Sequence, residues 1–351
     1  MHINILPKWD FEDSKGNLLH PKVLPLLEQI NRCGRLTAAA KACHLSYRHA
    51  WNLLNESTTF FSRPLVLMEK GRGAKLTELG QKLLWCKQQI DARLHPEMQG
   101  LAIELNTELQ KLMMGAVPNV KIYASHGYAV ALMAQYTKAC NVEIQYHAPE
   151  HALIALNENR CRIAGFHMPI GLQIPAQKSS YKKLLNSNRF GIIRFVRRQQ
   201  GLIFQAKNPF KISSIEDLSR ANLRFINRQH KSGTRELLEQ ILTDKNIRTG
   251  SILGYESQEF THSAVAAHIA ADMADVGFGI EAAARRFDLG FVPIIEENYL
   301  WAFARANEKD DDLQAFIATL SDMEFQFQIN QLPGYRCDSC GDITSPDWLF
   351  T

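Results

Sequence analysis

Two periods of hydrophobic and polar residues run along the chain, and the change between them falls near residue 118. In PKVLPLLEQINRCG, Val23, Leu26, Leu27 and Ile30 recur at i, i+3, i+4 and i+7, the stripe of an amphipathic helix that Gly34 ends. Leu36-Thr37 opens a short second helix with Thr37 as its expected N-cap, and Ala38, Ala39 and Ala40 let a neighbour approach closely. Ser46 is the expected N-cap of a third helix, SYRHAWNLLNESTTFF, which turns Ala50 and Leu54 inward and exposes Arg48, His49 and Asn52. Strand-like PLVLMEK and AKLT then flank Gly71-Arg72-Gly73, a turn with Lys70, Arg72 and Lys75 around it. From Thr77 a long helix is expected through Leu79, Leu83, Leu84 and Ile90, with Pro96 breaking it and starting another. Leu101, Leu105, Leu109 and Leu112 repeat on one face of that last helix and predict a seam between two copies of the chain.

Beyond Pro118-Asn119 the pattern becomes an alternation of strand and helix. VKIYAS, VEIQYH and CRIAGFHM read as strands, with GYAVALMAQYTKA and PEHALIALNEN as the helices between them. FGIIRFVRRQQGLIFQAKNP reads as two strands around a turn at Arg197–Gly201. SIEDLSRA, LRFIN, a helix opened by Lys231-Ser232-Gly233-Thr234-Arg235, ILGYE, a helix from Thr261, VGFGI, EAAARRFD, FVPII and YLWAFA continue the series. Such alternation predicts an α/β domain with a parallel sheet. In these folds ligands sit beyond the carboxyl ends of strands, against helix starts whose free N–H groups favour anions. Ser125-His126, Ser232-Gly233-Thr234-Arg235 and Thr261-His262 are the polar junctions in the right place, and Arg235 adds a guanidinium.

Charge changes this picture more than composition does. Hydrophobic residues at 46% and charged residues at 22% describe a folded chain, and with 351 residues about two domains are expected. The whole chain carries only +4, but residues 1–100 hold 14 Lys+Arg against 9 Asp+Glu, while the remainder holds 26 against 27. The positive excess lies entirely in the first hundred residues, which suggests a polyanion-binding head on a near-neutral body. Three short helices with a tight turn before a polar third helix, followed by a basic hairpin, describe a winged helix-turn-helix. The expected DNA-binding set is Thr37, Ser46, Tyr47, Arg48, His49, Asn52, Arg72 and Lys75. Arg48, His49 and Asn52 would read base edges, and Arg72 and Lys75 would hold phosphate or the minor groove.

The segment LLEQINRCGRLTAAAKACHLSYRHAWNLLNESTTFF, with PLVLMEKGRGAKLTELGQKLL after it, resembles the winged helix-turn-helix of ModE-type molybdate regulators, itself related to the LysR-type head. Its wing, Gly71-Arg72-Gly73, is shorter than that family's glycine-rich wing. Residues 120–335 resemble a periplasmic-binding-protein-like domain of cytosolic regulators, through ASHGYAVALMAQY, IAGFHM, NRQHKSGTRELLEQIL, THSAVAAHIAADMADVGFGIEAAA and LPGY. The resemblance implies two α/β lobes with a hinge and a ligand between them. It also implies a ligand-binding set of Ser125, His126, His167, Ser232, Gly233, Thr234, Arg235, Thr261 and His262. Pro149-Glu150-His151 replaces a Gly/Ser-rich turn of that family, and Lys231 stands where a glycine is common.

Other chemistry is sparse. There is no Walker loop, no G-x-S-x-G elbow and no H-E-x-x-H, so no enzyme, metal or resident cofactor is expected. Seven scattered cysteines form no disulfide framework, and Cys337-Asp338-Ser339-Cys340, without a second pair, is expected in a solvated tail. Trp9, Trp85 and Trp301 are expected as core or interface anchors. No run of apolar residues is long enough for a membrane span and the first residues lack a signal's apolar core, so a cytoplasmic protein with no membrane partner is expected.

The expected organisation is a winged helix-turn-helix (1–90), a helical dimerisation connector (91–117), a two-lobed periplasmic-binding-protein-like domain (118–335) and a tail (336–351). The expected function is a dimeric or higher-order transcriptional regulator that binds double-stranded operator DNA. It would sense a small anionic effector: molybdate, tungstate, or a small carboxylate such as formate. The alternatives are an enzyme of molybdenum-cofactor metabolism with an appended DNA-binding head, and a DNA-binding scaffold without a ligand.

Overall fold

The computed structural model describes residues 5, 10–69, 73–114, 119–136 and 141–350. The chain divides into two compact units, Leu6–Ala92 and, with its first five residues, Arg93–Thr351.

In the first unit α1 (Val23–Cys33) buries Val23, Leu24, Leu26, Leu27 and Ile30, the stripe its sequence prescribes, and ends on Gly34 in the left-handed region. The second helix, α2 (Leu36–Ala42), starts after Arg35, which is extended and makes no side-chain cap. Thr37 therefore lies inside α2, exposed, instead of capping it, because the chain turns helical two residues earlier than the hydroxyl suggested. Ser46 does cap α3 (Tyr47–Phe61), accepting a hydrogen bond from the His49 N–H at 3.1 Å, and Ala50, Leu53, Leu54 and Ser57 face inward. Two strands, β1 (Val66–Glu69) and β2 (Gly73–Leu76), pair antiparallel. Only glycine fits at position 73: its φ is +106°, and a Cβ there would lie 2.2 Å from the Gly34 carbonyl. Ala74 N–H donates to that same carbonyl at 2.8 Å, which ties the base of the hairpin to the end of α1. Arg72 and its neighbours Lys70 and Gly71 lie outside the described residues.

Thr77 accepts from the Gly80 N–H at 3.1 Å and opens α4 (Glu78–Met114), which runs for 37 residues straight through Pro96. The expected break is absent. A proline inside a helix removes one backbone hydrogen bond and crowds the preceding turn, but here the flanking turns carry the helix across it. Leu101, Leu105 and Leu112 are exposed on it.

The second unit is built on one sheet. Its first strands are β3 (Asn119–Ala124), β4 (Asn141–Tyr146) and β5 (Ile163–Pro169), with helices α5 (Tyr128–Tyr136), α6 (Pro149–Asn157) and α7 (Pro175–Leu184). Next come β6 (Phe190–Phe204), β7 (Phe225–Arg228), α8 (Gly233–Asp244), β8 (Gln258–Glu259), α9 (His262–Ala270), β9 (Val276–Ile280) and α10 (Glu281–Arg286). Last are β10 (Gly290–Ala304), α11 (Asp311–Ser321), α12 (Met323–Asn330), β11 (Tyr335–Arg336) and β12 (Ile343–Thr344). The strand order is β4-β3-β5-β10-β6-β9-β7-β8. Pairing is parallel at β3–β4, β3–β5, β7–β8 and β7–β9, as the alternation predicts, but antiparallel wherever β6 or β10 takes part.

The turn expected at Arg197–Gly201 does not form. β6 is one strand of 15 residues, paired along its length with the equally long β10. Together they cross from the lobe of β3–β5 into the lobe of β7–β9, so the polar run Arg197–Gln200 sits at the crossing. ILGYE forms turns that lead into β8 and not a strand of its own. The end of the chain is not a solvated tail either: β11 and β12 both pair with β6, and Cys337 and Cys340 are buried. Trp301 is fully buried, Trp85 is partly buried, and Trp9 lies outside the described residues.

Candidate functional site

Six segments of the second unit converge on the crossing: the loop after β3, the end of β5, the middle of β6, the end of β7, and the starts of α8 and α9. Glu297 of β10 stands opposite Arg198 of β6 in the strand register, and Arg198 Nε donates to its carboxylate. Both side chains are buried. Gln200, two residues along the same face of β6, donates to the same Glu297 oxygen at 2.7 Å and lies 3.4 Å from Thr234 Oγ1. Arg198 Nη2 lies 3.4 Å from His167 Nδ1. A guanidinium only donates, so that nitrogen accepts and the proton of the neutral ring sits on Nε2. Arg198 Nη1 has no hydrogen-bond partner, and a Cβ on Gly127 would lie 3.4 Å from it, so this atom faces the loop after β3.

Arg228, the last residue of β7, is a second buried guanidinium. Its Nε reaches Gln229 Oε1 at 3.3 Å and its Nη2 the Phe260 carbonyl at 3.1 Å, both neutral oxygens, while Nη1 has no partner. Burial, followed by the nearby Arg198 charge, pushes its pKa down to about 9. His262 begins α9 and is buried with its Nδ1 unpartnered. Burial and the charges of Arg228 and Arg198 hold its pKa well below the ordinary imidazole range, and His167 is lowered by burial, Arg198 and Arg228. Both rings are therefore neutral near pH 7.

The helix starts are built as the sequence suggests. Ser232 caps α8 by accepting from the Arg235 N–H at 3.2 Å, and Thr261 caps α9 by accepting from the Ala264 N–H at 2.9 Å. Lys231 has φ +63°, a left-handed backbone that glycine adopts without strain. Gly233 packs on His167: a Cβ there would lie 3.3 Å from the ring. Ser125 donates to the His147 carbonyl at 3.3 Å, its own carbonyl accepts from Tyr299 at 3.1 Å, and His126 meets Tyr146 edge-on at 5.0 Å. Tyr128 and Ser263 join the two lobes by a hydroxyl pair at 2.7 Å.

One predicted residue is committed elsewhere. The buried Arg235 guanidinium binds Glu239 at 3.0 Å, Glu256 at 3.3 Å and the Arg228 carbonyl at 3.4 Å, and lies over the Tyr255 ring. Arg198, Gln200, Arg228 and Glu297 were not among the residues the sequence singled out. The signal of the first three was polar residues embedded in strand-forming runs, FVRRQQGLIF and RFINRQ, without Pro, Asp or a two-glycine turn to break them. Among the described residues no group of three or more His, Cys, Asp or Glu side chains is placed to hold a metal.

In the first unit, Ser46, Tyr47, Arg48, His49 and Asn52 are all exposed on the opening turns of α3. Tyr47 and Trp51 stack at 6.4 Å, and Lys75 projects from β2 into solvent.

Two α/β lobes are joined by a pair of long strands, with uncommitted donors buried at the crossing. The chain belongs to the PBP superfamily: that family's domain matches residues 130–321, more than half of the chain. An uncharacterized Bacillus subtilis protein, YvgK, is 29% identical over 204 residues, covering 57% of this chain and 64% of YvgK. The molybdenum transport protein ModE of Azotobacter vinelandii is 27% identical over 105 residues, 29% of this chain and 39% of ModE. The chain thus matches less than two thirds of the length of either relative. Among solved structures, a Corynebacterium glutamicum OxyR mutant with bound hydrogen peroxide aligns with a TM-score of 0.42 at 12% identity, covering 85% of this chain and 90% of that one.

Proposed function

We propose that the chain is a DNA-binding transcriptional regulator, not an enzyme, whose two-lobed domain senses a small anion. The observation that carries the reading is the pair of buried guanidiniums, Arg198 and Arg228, each with an Nη1 that makes no hydrogen bond, although the Tyr335 hydroxyl lies beside Arg198. A buried charged donor without an acceptor is costly, so an anion that fills the position is bound at the expense of that cost. The neutral His262 ring and the N-termini of α8 and α9 stand around the same place and favour negative charge. The ligand-binding set is then Ser125, His126, His167, Ser232, Gly233, Thr234, Thr261 and His262, with Arg198 and Arg228 as its cations and Arg235 as the strut behind α8. The candidates for that ligand are an oxyanion of the molybdate or tungstate type, a small carboxylate such as formate, and other small oxyanions or hydroxy acids, among which the hydrogen bonding of the site decides. The partial match to a molybdenum transport protein supports the first.

The DNA reading rests on the first unit. Its three helices followed by a two-stranded hairpin support the winged helix-turn-helix reading, with Ser46, Tyr47, Arg48, His49 and Asn52 exposed at the start of α3 and Lys75 exposed on β2. Thr37, exposed on α2, and Arg72, outside the described residues but between β1 and β2 in sequence, complete the proposed contact set with double-stranded operator DNA. The exposed Leu101, Leu105 and Leu112 of α4 supply a seam for a homodimer or higher homo-oligomer. Arg93, also on α4, makes a two-pronged pair with the buried Glu259 at 3.0 and 2.9 Å, two residues before the Thr261 cap and next to the carbonyl that holds Arg228. Through this pair, anion binding at α9 and the setting of α4 are linked, and linkage is reciprocal.

The test is fluorescence anisotropy of the full chain on a duplex from its own gene's upstream region, over a salt series, with and without each anion. Steep salt dependence and a ligand-dependent change in affinity are expected. Absent or salt-independent binding would overturn the DNA reading.

A further inference from the structure

The same buried cluster also says what kind of anion fits, because its unpartnered atoms are not all donors. Gln200 is fully buried on β6. Its amide nitrogen reaches a Glu297 oxygen at 2.7 Å. That oxygen also takes the Arg198 Nε–H, so it is an acceptor, and the atom facing it must be the amide N–H. The amide oxygen is thereby turned away from Glu297, and it has no hydrogen-bond partner. An amide oxygen can only accept. Beside the two open guanidinium donors, the crossing therefore holds an open acceptor whose orientation is fixed by an ion pair.

Resting on the anion reading above, we infer that the ligand is an anion carrying its own O–H or N–H donor: a protonated oxyanion such as hydrogen phosphate, or a hydroxy acid. A fully deprotonated tetrahedral oxyanion such as molybdate, tungstate or sulfate offers acceptors on every side, as does the carboxylate of formate or acetate. Such an anion satisfies Arg198 and Arg228 but leaves the Gln200 oxygen buried without a donor and sets its lone pairs against the ligand's. An anion with a hydroxyl brings the donor that the Gln200 oxygen lacks as well as acceptors for the guanidiniums. Charge does not make this choice. Arg198 is balanced by Glu297 and Arg228 has no carboxylate partner, while two helix N-termini add partial positive charge, so singly and doubly charged anions are both accommodated. The discrimination lies in hydrogen bonding, where a buried group left unpaired costs about tenfold in affinity or more.

The experiment is calorimetric titration of the full chain with anions matched in shape: inorganic phosphate against sulfate and molybdate, and glycolate against acetate. The donor-bearing member of whichever set binds is expected to bind at least about tenfold more tightly. Gln200→Met, close in length and without the acceptor, should remove that preference, while Arg228→Met should weaken both members of a set alike. The comparison on the unaltered chain stands even where Gln200→Met fails to fold. Sulfate, molybdate or acetate binding as tightly as its protonated counterpart would overturn the inference and leave the anion site intact. If no member of either set binds at millimolar concentration, the anion reading fails and this inference with it.

Discussion

The opening turns of α3 and the crossing of β6 with β10 both gather cationic and polar side chains, but water reaches the first and is kept from the second. Arg48 and Lys75 are exposed, so in the absence of a partner their charges are paid for by hydration alone and leave no mark on the fold. Arg198 and Arg228 are buried, and each needs fixed partners. Arg198 has Glu297, while Arg228 has two neutral oxygens and a lowered pKa. A surface charge is thus evidence of an interface only as one of a set, whereas one buried, partly unpartnered charge is evidence by itself. It is a cost that a structural role does not explain.

The largest expected effect tests that difference directly. Replacing Arg228 by Met should lower anion affinity by more than about 100-fold, since it removes a desolvated charged donor. The ligand-free chain should melt at the same temperature or higher, because an apolar side chain of similar length takes the place of an unneutralised buried charge. Calorimetry and thermal melting of the same preparation check both. A fall of several degrees in Tm would mean that Arg228 is a strut, and the contrast with α3 would break.

A second consequence comes from His167 and His262. Their folded-state pKa values lie below the ordinary 6.5, so the unfolded chain binds protons that the folded chain refuses. Their contribution to stability is fully present above about pH 6.5 and is lost as pH falls below it toward the depressed values. Each ring steepens the loss by up to about 1.4 kcal/mol per pH unit. Urea unfolding between pH 7.5 and 5 should show this, and His262→Gln should flatten it. An unchanged slope in that variant would mean the ring charges freely, and the cluster is wetter than described.

Arg235 sharpens the comparison within the buried region itself. It is as buried as Arg198 but faces Glu239 and Glu256, and it packs on Tyr255. Arg235→Ala should therefore cost about 1–3 kcal/mol of stability through lost packing and pairing. Its effect on anion affinity should be smaller than that of Arg228→Met, seven residues earlier. The reverse order would return the ligand contact to α8.

How much of this was legible follows the same division. The stripe of α1, the Ser46, Ser232 and Thr261 caps and the strand–helix alternation are local patterns, and local patterns survive folding. Thr37 failed as a cap because helix starts are fixed by backbone geometry, which a hydroxyl only decorates. The cations of the cluster were hidden because β6 passes between two lobes. Five polar or glycine residues in a row look like a turn in a strand with one wet face, yet on a strand crossing a cleft they are its lining. Arg235 carried a warning in plain view: Glu239 four residues on, the spacing of a helical ion pair. The pairing of the chain's last residues with β6 had no local signal, since two-residue strands have almost no pattern of their own.

The smallest effects belong to the exposed surface, and they are the ones that establish what it touches. Lys75→Ala should weaken duplex binding only several-fold at moderate salt, by a similar factor on every sequence, because a phosphate contact carries no base information. Its signature is the salt series: the slope of log affinity against log salt should fall in magnitude by about 0.9 for the one phosphate lost. Asn52→Ala, at a position suited to a base edge, should leave that slope nearly unchanged and cost about 1–3 kcal/mol on the preferred operator alone. Anisotropy on the operator and on a scrambled duplex, across one salt range, separates the two. If both variants change the slope alike and neither changes the preference, α3 lies along the backbone and does not enter the groove. The exposed set would then position the head without reading sequence.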